Sequence, residues 1–203
     1  CSSDLVSASN RSEFPAWCHA QGILFTEVFT LEALLSTKIA EDNILISDRT
    51  NFLIPEKWLA YTKCLKVNVH PSLLPWHRGS YSLFWSALLG DSWGISLHEI
   101  DEGIDTGNLI EQQDICYSDQ ESFRELYSKY RKATFQMLTS LIIDFTNQRK
   151  ISSTPQIKIF KHAHTKSETV PLLNRLEKGW DTKILHARNL LREEIQAHQL
   201  RYR

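Results

Sequence analysis

The sequence is poor in glycine and proline, and it has a single methionine. Seven glycines and six prolines in 203 residues exclude collagen-like and low-complexity chains. The longest apolar runs, such as residues 138–145, are interrupted by polar residues and fall short of the ~20 residues that span a bilayer. We therefore expect a globular chain with no membrane-spanning helix and no membrane partner.

Closely spaced cysteines are also missing. The four cysteines lie at positions 1, 18, 64 and 116, so there is no CxxC pair for a zinc knuckle or a thioredoxin-like site. Scattered cysteines are typical of free thiols in a reducing compartment, and we predict a cytoplasmic protein. His162 and His164 alternate, but no third ligand follows at a recognisable spacing, so we predict no metal.

The only methionine is Met137, so the chain does not begin at a translation start. We expect further residues to precede Cys1. A processed lipoprotein is the alternative, because Cys-Ser-Ser-Asp resembles a mature lipidated terminus.

Short strand-like and helix-like segments alternate along the chain. This alternation predicts an α/β fold with a mainly parallel sheet and helices on both faces. A long helix begins near 119–122, where Asp119 or Ser122 can cap it. After it, QIKIF (156–160) is strand-like, and a last helix is predicted over 181–199.

Charge divides the chain into two parts. Residues 1–148 carry 11 Lys and Arg against 19 Asp and Glu, whereas residues 149–203 carry 12 against 5. We predict a catalytic domain over 1–148 and a short basic α/β extension over 149–203. The extension either meets an anionic partner or docks against the acidic body, and its spaced basic residues do not indicate a nucleic-acid partner.

The first candidate motif is NVHPSLLPWHRG, residues 68–79. Asn68 and His70 lie two residues apart, so on a strand they share a face, and Pro71 ends the strand. This puts an amide and an imidazole at the carboxyl end of a strand, where open α/β sheets hold their active sites. Taken alone, the spacing favours an ordinary buried histidine.

The second candidate motif begins at Gly94 and reads GISLHEIDEGIDTGNLI. A strand leads into a loop with three carboxylates and two glycines, which let a ligand approach the backbone closely. An acidic turn is the alternative, and the spacing does not match an EF-hand calcium loop. Each motif is ambiguous alone.

In this order, the two motifs resemble the N10-formyltetrahydrofolate-dependent formyltransferases. The resemblance covers about residues 43–115, starting with NILISDRTNFLIP. It implies a Rossmann-like fold that begins with a strand and a helix. Because DLVSAS (4–9) is similar to the second strand of such a fold, we expect the first strand and helix to be missing from the given chain.

The resemblance also implies roles for three residues. The family's catalytic Asn, His and Asp match Asn68, His70 and Asp105. Asn68 and a protonated His70 would donate hydrogen bonds to the formyl oxygen as negative charge develops there. Asp105 would orient the imidazole and, through a water, take the proton of the attacking amine. N10-formyltetrahydrofolate supplies the one-carbon group, and no metal is needed.

Family members hold the pterin of the donor with backbone groups of two loops. Carried over without gaps, the donor-binding positions are Phe52, Leu53, Ile54, Ile100, Asp101, Glu102 and Ile104. Apolar side chains at several of them suit a flat heterocycle. For Ile54 and Ile100, simple core packing is the alternative.

The acceptor is a small-molecule amine, and the loop HPSLLPWHRGSYSLFW together with KGWDT (178–182) looks most like the nucleotide-sugar N-formyltransferases. Trp76, His77 and Arg78 are candidate contacts to a nucleotide-linked amino sugar, although His77 could be a solvated loop residue. Glycinamide ribonucleotide and methionyl-tRNA are alternative acceptors in this family. The tRNA enzyme carries a further β-barrel domain, which the strand-and-helix pattern of the last 55 residues does not resemble.

Two other classes remain open. A hydrolase would release formate from the same folate, although the HPSLLP form disfavours it. A non-catalytic folate- or nucleotide-binding module is the second, and the presence of Asn68, His70 and Asp105 argues against it. The sequence leaves a homodimer open.

Overall fold

The computed structural model describes residues 5–7, 13–50, 52–157 and 162–202. Its strands are β1 (Leu5–Ser7), β2 (Phe25–Glu27), β3 (Ile44–Asp48), β4 (Leu65–His70), β5 (Gly94–Glu99) and β6 (Leu109–Asp114). Its helices are α1 (Glu13–Ala20), α2 (Leu31–Ser36), α3 (Glu56–Tyr61), α4 (Ser82–Leu89), α5 (Phe123–Thr146), α6 (Lys166–Leu173), α7 (Ile184–Leu190) and α8 (Arg192–Tyr202), with a 3-10 turn at Gly179–Asp181. The predicted α/β class is confirmed.

The strands form one six-stranded sheet in the order β2-β1-β3-β4-β5-β6. Strand β1 is parallel to both β2 and β3, and β3 is parallel to β4. Because the chain moves one way from β1 to β2 and the other way from β2 to β4, right-handed crossovers put α1 on one face and α2 and α3 on the other. The expectation of a strand and helix that precede β1 concerns residues outside this chain and stays a prediction.

Strands β5 and β6 reverse this direction. Ile100, just after β5, donates its N–H to the carbonyl of Lys66 near the start of β4, at 3.0 Å. Glu99 donates to the carbonyl of Asn108 at 2.8 Å, which pairs the end of β5 with the residue before β6. Both pairings are therefore antiparallel, and the sheet is mixed. The prediction of a mainly parallel sheet is correct for β1 to β4 and wrong for β5 and β6.

The chain divides into two compact units. The first gathers the described parts of Cys1–His70, Leu97–Glu111 and Thr134–Gln156, and the second gathers those of Pro71–Ser96, Gln112–Ala133 and Ile157–Arg203. The fully buried strand β3 is central to the first unit, and the apolar helix α4 to the second. These units are interleaved along the chain, so the division into domains at residue 148 stays a prediction.

The C-terminal segment is more helical than its sequence pattern predicts. Most of the strand-like QIKIF lies outside the described residues, and the single helix expected over 181–199 is replaced by a 3-10 turn, α7 and α8. Helix α6 was not predicted. The start of α6 nevertheless has a sequence signature, because Thr165 and Glu168 form a reciprocal capping box.

Several basic residues of this segment pair with acids of the same chain. Arg149 contacts Asp144 at 2.8 Å within the first unit. In the second unit Lys183 contacts Glu125 at 3.0 Å. These pairs favour the prediction that part of the basic segment docks on the acidic body.

Cys18, Cys64 and Cys116 are free thiols, in agreement with the predicted cysteine chemistry. Among the residues that the structure describes, no helix combines the length and apolar character that crossing a membrane requires.

Candidate active site

Strand β4 carries the first two site residues. Asn68 and His70 share one face of the strand, and the buried β3 supports it through parallel pairing that places Ser47 beside Asn68. His70 is the last residue of β4 and is 3% exposed. Its imidazole is therefore fixed at the end of a strand, as the sequence predicts.

The loop between β5 and β6 carries the third residue. Asp101 folds this loop: its Oδ1 accepts hydrogen bonds from the Gly103 N–H at 3.1 Å and from the Thr106 hydroxyl at 2.6 Å. Asp105 has a positive φ of 53°, a left-handed conformation that Asp tolerates better than most residues. Gly107 passes so close to the Glu99 carbonyl that a Cβ would collide with it. The loop thus turns back and directs Asp105 toward β4.

The three predicted residues meet around the Asp105 carboxylate. Its Oδ2 lies 3.3 Å from Nδ1 of His70, and its Oδ1 accepts a hydrogen bond from Nδ2 of Asn68 at 3.2 Å. The carboxylate side chain is 15% exposed, so water screens these contacts only weakly. Nδ1 is thus the ring nitrogen of His70 that faces the carboxylate of Asp105.

A fourth side chain completes the cluster. His98, on β5, contacts the Glu99 carbonyl through Nδ1 at 2.7 Å, and a carbonyl only accepts, so Nδ1 carries a hydrogen. In the neutral ring Nε2 then accepts from Nδ2 of Asn68 at 3.0 Å. Both amide hydrogens of Asn68 are thus engaged, one by His98 and one by Asp105. The sequence placed His98 beside this loop without assigning it a role.

Gln156 fixes the loop from outside the predicted motifs. Its Nε2 donates to the carbonyl of Asp105 at 3.0 Å and to that of Gly107 at 2.6 Å. The chain just before Gln156 is anchored to β6, because Thr154 and Leu109 exchange two backbone hydrogen bonds of 2.8 Å. Gln156 was predicted only as part of a strand, and local sequence carries no signal for its role.

A groove of about 460 Å³ lies in the first compact unit, which also contains Asn68, His70 and Asp105. It is lined by Glu56, Leu59, Ala60, Lys66, Ile100, Asp101 and Glu102. Three of the predicted donor-binding residues, Ile100, Asp101 and Glu102, line this groove. It combines apolar walls with charged side chains, which suits a flat heterocycle with a polar edge.

The other predicted donor-binding residues do not line the groove. Phe52 and Ile54 pack against a buried apolar cluster, which fits the core-packing alternative for Ile54. Leu53 is 71% exposed and Ile104 is 45% exposed. Any part these four take in binding a donor would therefore rest on their backbone or on exposed side chains, and it stays a prediction.

The predicted acceptor contacts belong to the second unit. Trp76 is exposed, whereas Arg78 is buried. The His77 side chain is buried too, with Nε2 3.1 Å from Asp91 Oδ2 and Nδ1 3.1 Å from His164 Nε2. The alternative that His77 is a solvated loop residue is therefore wrong.

The formyl transferase family matches residues 42–142, a segment that contains Asn68, His70, His98 and Asp105. The segment 42–142 belongs to this family. The GDP-perosamine N-formyltransferase of Brucella melitensis biotype 1 is 33% identical over 51% of this chain and 40% of its own length. The methionyl-tRNA formyltransferase of Rickettsia canadensis is 27% identical over 66% of this chain and 44% of its own length.

A solved formyltransferase shares the fold over most of both chains. PseJ from Anoxybacillus kamchatkensis, in complex with UDP-4,6-dideoxy-4-formamido-L-AltNAc and tetrahydrofolate, superposes with a TM-score of 0.77. The match covers 90% of this chain and 96% of PseJ at 22% identity. By contrast, the chain spans well under half the length of the two curated formyltransferases.

Proposed function

We propose that this protein transfers a formyl group from N10-formyltetrahydrofolate to the amino group of a nucleotide-linked amino sugar. One observation carries the proposal: Asp105 contacts both His70 and Asn68, so an acid–base pair and an amide donor meet at one point of a formyl transferase segment. The proposal needs no metal at this point.

The chemistry follows from these contacts. His70, held by Asp105 through Nδ1, would donate from Nε2 to the formyl oxygen as the amine attacks the formyl carbon. Asn68 would donate to the same oxygen, and for this it must exchange one of its hydrogen bonds to His98 or Asp105. Asp105 would receive the amine proton through a water, and the same route would return a proton to N10 as the bond between N10 and the formyl carbon breaks and tetrahydrofolate leaves. His98 would keep the Asn68 amide nitrogen turned toward the cluster.

The groove in the same unit as the cluster supports a folate-type donor. Ile100 and Leu59 provide apolar surface, and Lys66 provides a cation within the same lining. The backbone of residues 52–54 and 100–104 would hold the heterocycle, as the family resemblance implies. Positioning the donor beside His70 supplies the proximity that turns a two-body reaction into a reaction within one complex.

The relatives support an amino-sugar acceptor. The relative with the higher identity is named for GDP-perosamine, and PseJ is bound to a formamido sugar linked to UDP. We place Trp76, His77 and Arg78 at the acceptor. Because His77 contacts Asp91 and His164, we expect its side chain to act from a fixed position. The free thiols agree with a reducing compartment, and we place the reaction in the cytoplasm.

A formyl-transfer assay with the purified protein tests this proposal. We would incubate it with N10-formyltetrahydrofolate and amino sugars linked to GDP, UDP or dTDP, and measure tetrahydrofolate and the formamido product by mass spectrometry. We expect tetrahydrofolate release that depends on one of these acceptors.

Controls with glycinamide ribonucleotide and methionyl-tRNA separate the alternative acceptors. Transfer to one of them instead would contradict the amino-sugar assignment and leave formyl transfer standing. Release of formate without any acceptor would identify a hydrolase.

A further inference from the structure

Three histidines meet in the second unit, outside the family-matched segment. His162 and His164 precede α6, and His198 lies on α8. One ring nitrogen of each histidine lies within 4.8 Å of one ring nitrogen of the other two. The sequence predicted no metal because no third ligand follows at a recognisable spacing, but the fold supplies that ligand from a distant helix.

His164 is held firmly at the centre of this cluster. Its backbone bridges the 78–80 segment, because its N–H donates to the Arg78 carbonyl at 2.8 Å and its carbonyl accepts from the Ser80 N–H at 2.7 Å. A Cβ at Gly79 would collide with that carbonyl, so the close approach needs glycine. Its imidazole stacks on Trp85 with the ring centres 4.6 Å apart. A ligand anchored in this way loses little freedom when it binds.

A carboxylate oxygen lies between two of the rings. Oε1 of Glu168 is 3.0 Å from Nδ1 of His164 and 3.3 Å from Nε2 of His162. In a tetrahedral site with metal–nitrogen bonds of about 2.0–2.1 Å, neighbouring ligand atoms are about 3.3 Å apart. These two spacings therefore match such a site, and a nitrogen of His198 lies within 4.8 Å of a nitrogen of each of the other two histidines.

The hydrogen count along this chain of contacts also favours a cation. Asp91 contacts Nε2 of His77, Nδ1 of His77 contacts Nε2 of His164, and Nδ1 of His164 contacts Glu168. Each contact needs one hydrogen, since carboxylates only accept, but two neutral imidazoles carry only two hydrogens for these three contacts. A metal ion on Nδ1 of His164 removes the need for the third.

The remaining contacts then resemble the outer shell of a metal site. With the metal on Nδ1, His164 donates its Nε2–H to His77, and His77 donates its own Nε2–H to Asp91. Ligating histidines commonly use their second nitrogen in this way, which fixes the ring and raises its basicity. We propose that His162, His164, His198 and Glu168 bind one divalent transition-metal ion of the Zn²⁺ type.

Metal titration of the tag-free, chelator-treated protein tests this site. We expect one Zn²⁺ per chain by calorimetry and mass spectrometry, and a rise in melting temperature because the ion binds the folded state. Co²⁺, as a probe of geometry, should give the visible bands of a tetrahedral nitrogen–oxygen site. Both readouts are independent of formyl transfer.

Variants separate this site from other metal-binding groups. His162→Ala and His198→Ala should each weaken Zn²⁺ binding at least tenfold, and Glu168→Gln should do the same while it keeps the helix cap. His77→Gln should cost roughly 10–100-fold, as outer-shell changes typically do. The exposed His186→Ala is the matched control and should bind as the wild type does.

If His198→Ala lowers stability, His162→Gln, at a side chain that is 26% exposed, provides the second comparison. The proposal is overturned if the wild-type protein binds no stoichiometric Zn²⁺. It is equally overturned if binding survives the changes at both His162 and His198. In either case the cluster is a hydrogen-bonded, stacked group without a metal-binding role.

Discussion

At the residue scale, the cluster of Asn68, His70 and Asp105 depends on further side chains that hold it in place. Gln156 donates to two carbonyls of the loop that carries Asp105 and is 7% exposed. Because Asp105 has a left-handed backbone, its loop needs such external support. Gln156 is a positioning residue in this account: it touches the loop backbone, and we assign it no contact with a substrate.

Gln156→Glu tests this role with a nearly isosteric side chain. The carboxylate cannot donate to the carbonyls of Asp105 and Gly107, so we expect kcat for formyl transfer to fall about tenfold or more, with little change in KM for the donor. Steady-state kinetics measures both constants. The exposed Gln136→Glu, which introduces the same charge, should leave both unchanged. A rise in KM at unchanged kcat would show that Gln156 acts on binding instead.

The sequence predicted Asn68, His70 and Asp105 because motif order encodes them. His98 and Gln156 were not assigned, since their roles depend on partners across the sheet. The tautomer of His98 is set by the Glu99 carbonyl, and Gln156 reaches the loop from beyond α5. Such contacts follow from tertiary structure, and a single sequence shows neither.

At the element scale, the start of α5 shows how local sequence determines structure. Ser122 precedes the helix, and its Oγ accepts from the Glu125 N–H at 3.2 Å. Glu125 in turn accepts from the Ser122 N–H at 2.7 Å. This reciprocal cap confirms the predicted helix start with Ser122 as the capping residue. The backbone N–H of Ser122, together with Lys183, lowers the pKa of Glu125 to about 2.

This lowered pKa predicts a pH dependence of stability. A carboxyl group with a lower pKa in the folded state stabilises the fold above its unfolded value of 4.5, and the stabilisation is lost as the pH falls toward 2. Glu125→Gln should therefore destabilise the protein at pH 7. It should also reduce the loss of stability that occurs as the pH falls from 4.5 toward 2.

Urea unfolding at several pH values measures the effect of Glu125→Gln. Glu193→Gln, at an exposed position of α8, is the matched control and should keep the wild-type dependence. An unchanged pH profile in Glu125→Gln would contradict the role of this cap.

Strand and helix positions were largely predictable, whereas strand direction was not. The strand that ends at Pro71 and the strand that leads into the acidic loop were predicted, and they are β4 and β5, but a hydrophobic pattern suits a parallel or an antiparallel neighbour equally. Strand direction depends on the neighbouring strand with which a strand pairs, and β5 pairs with β4 in the antiparallel direction. The C-terminal helices were less predictable, because Pro171 lies inside α6 and obscures its helical pattern.

At the scale of the whole molecule, the formyl transferase segment and the C-terminal segment differ in how far their sites can be predicted from the sequence. The segment 42–142 carries motifs whose order is specific, and so the family was predictable. The histidine cluster joins residues from before α6 and from α8, and only folding brings them together.

We propose that the carboxylate of Asp105 makes the cluster with His70 and Asn68 competent for formyl transfer. The most direct measurement is kcat/KM for transfer from N10-formyltetrahydrofolate to an amino-sugar nucleotide, compared between the wild type and Asp105→Asn. Asp114→Asn, at an exposed position of β6, is the control, and circular dichroism checks that both variants fold. We predict a loss of roughly 10²–10³-fold for Asp105→Asn and none for the control. A folded Asp105→Asn protein within twofold of the wild type would contradict the account.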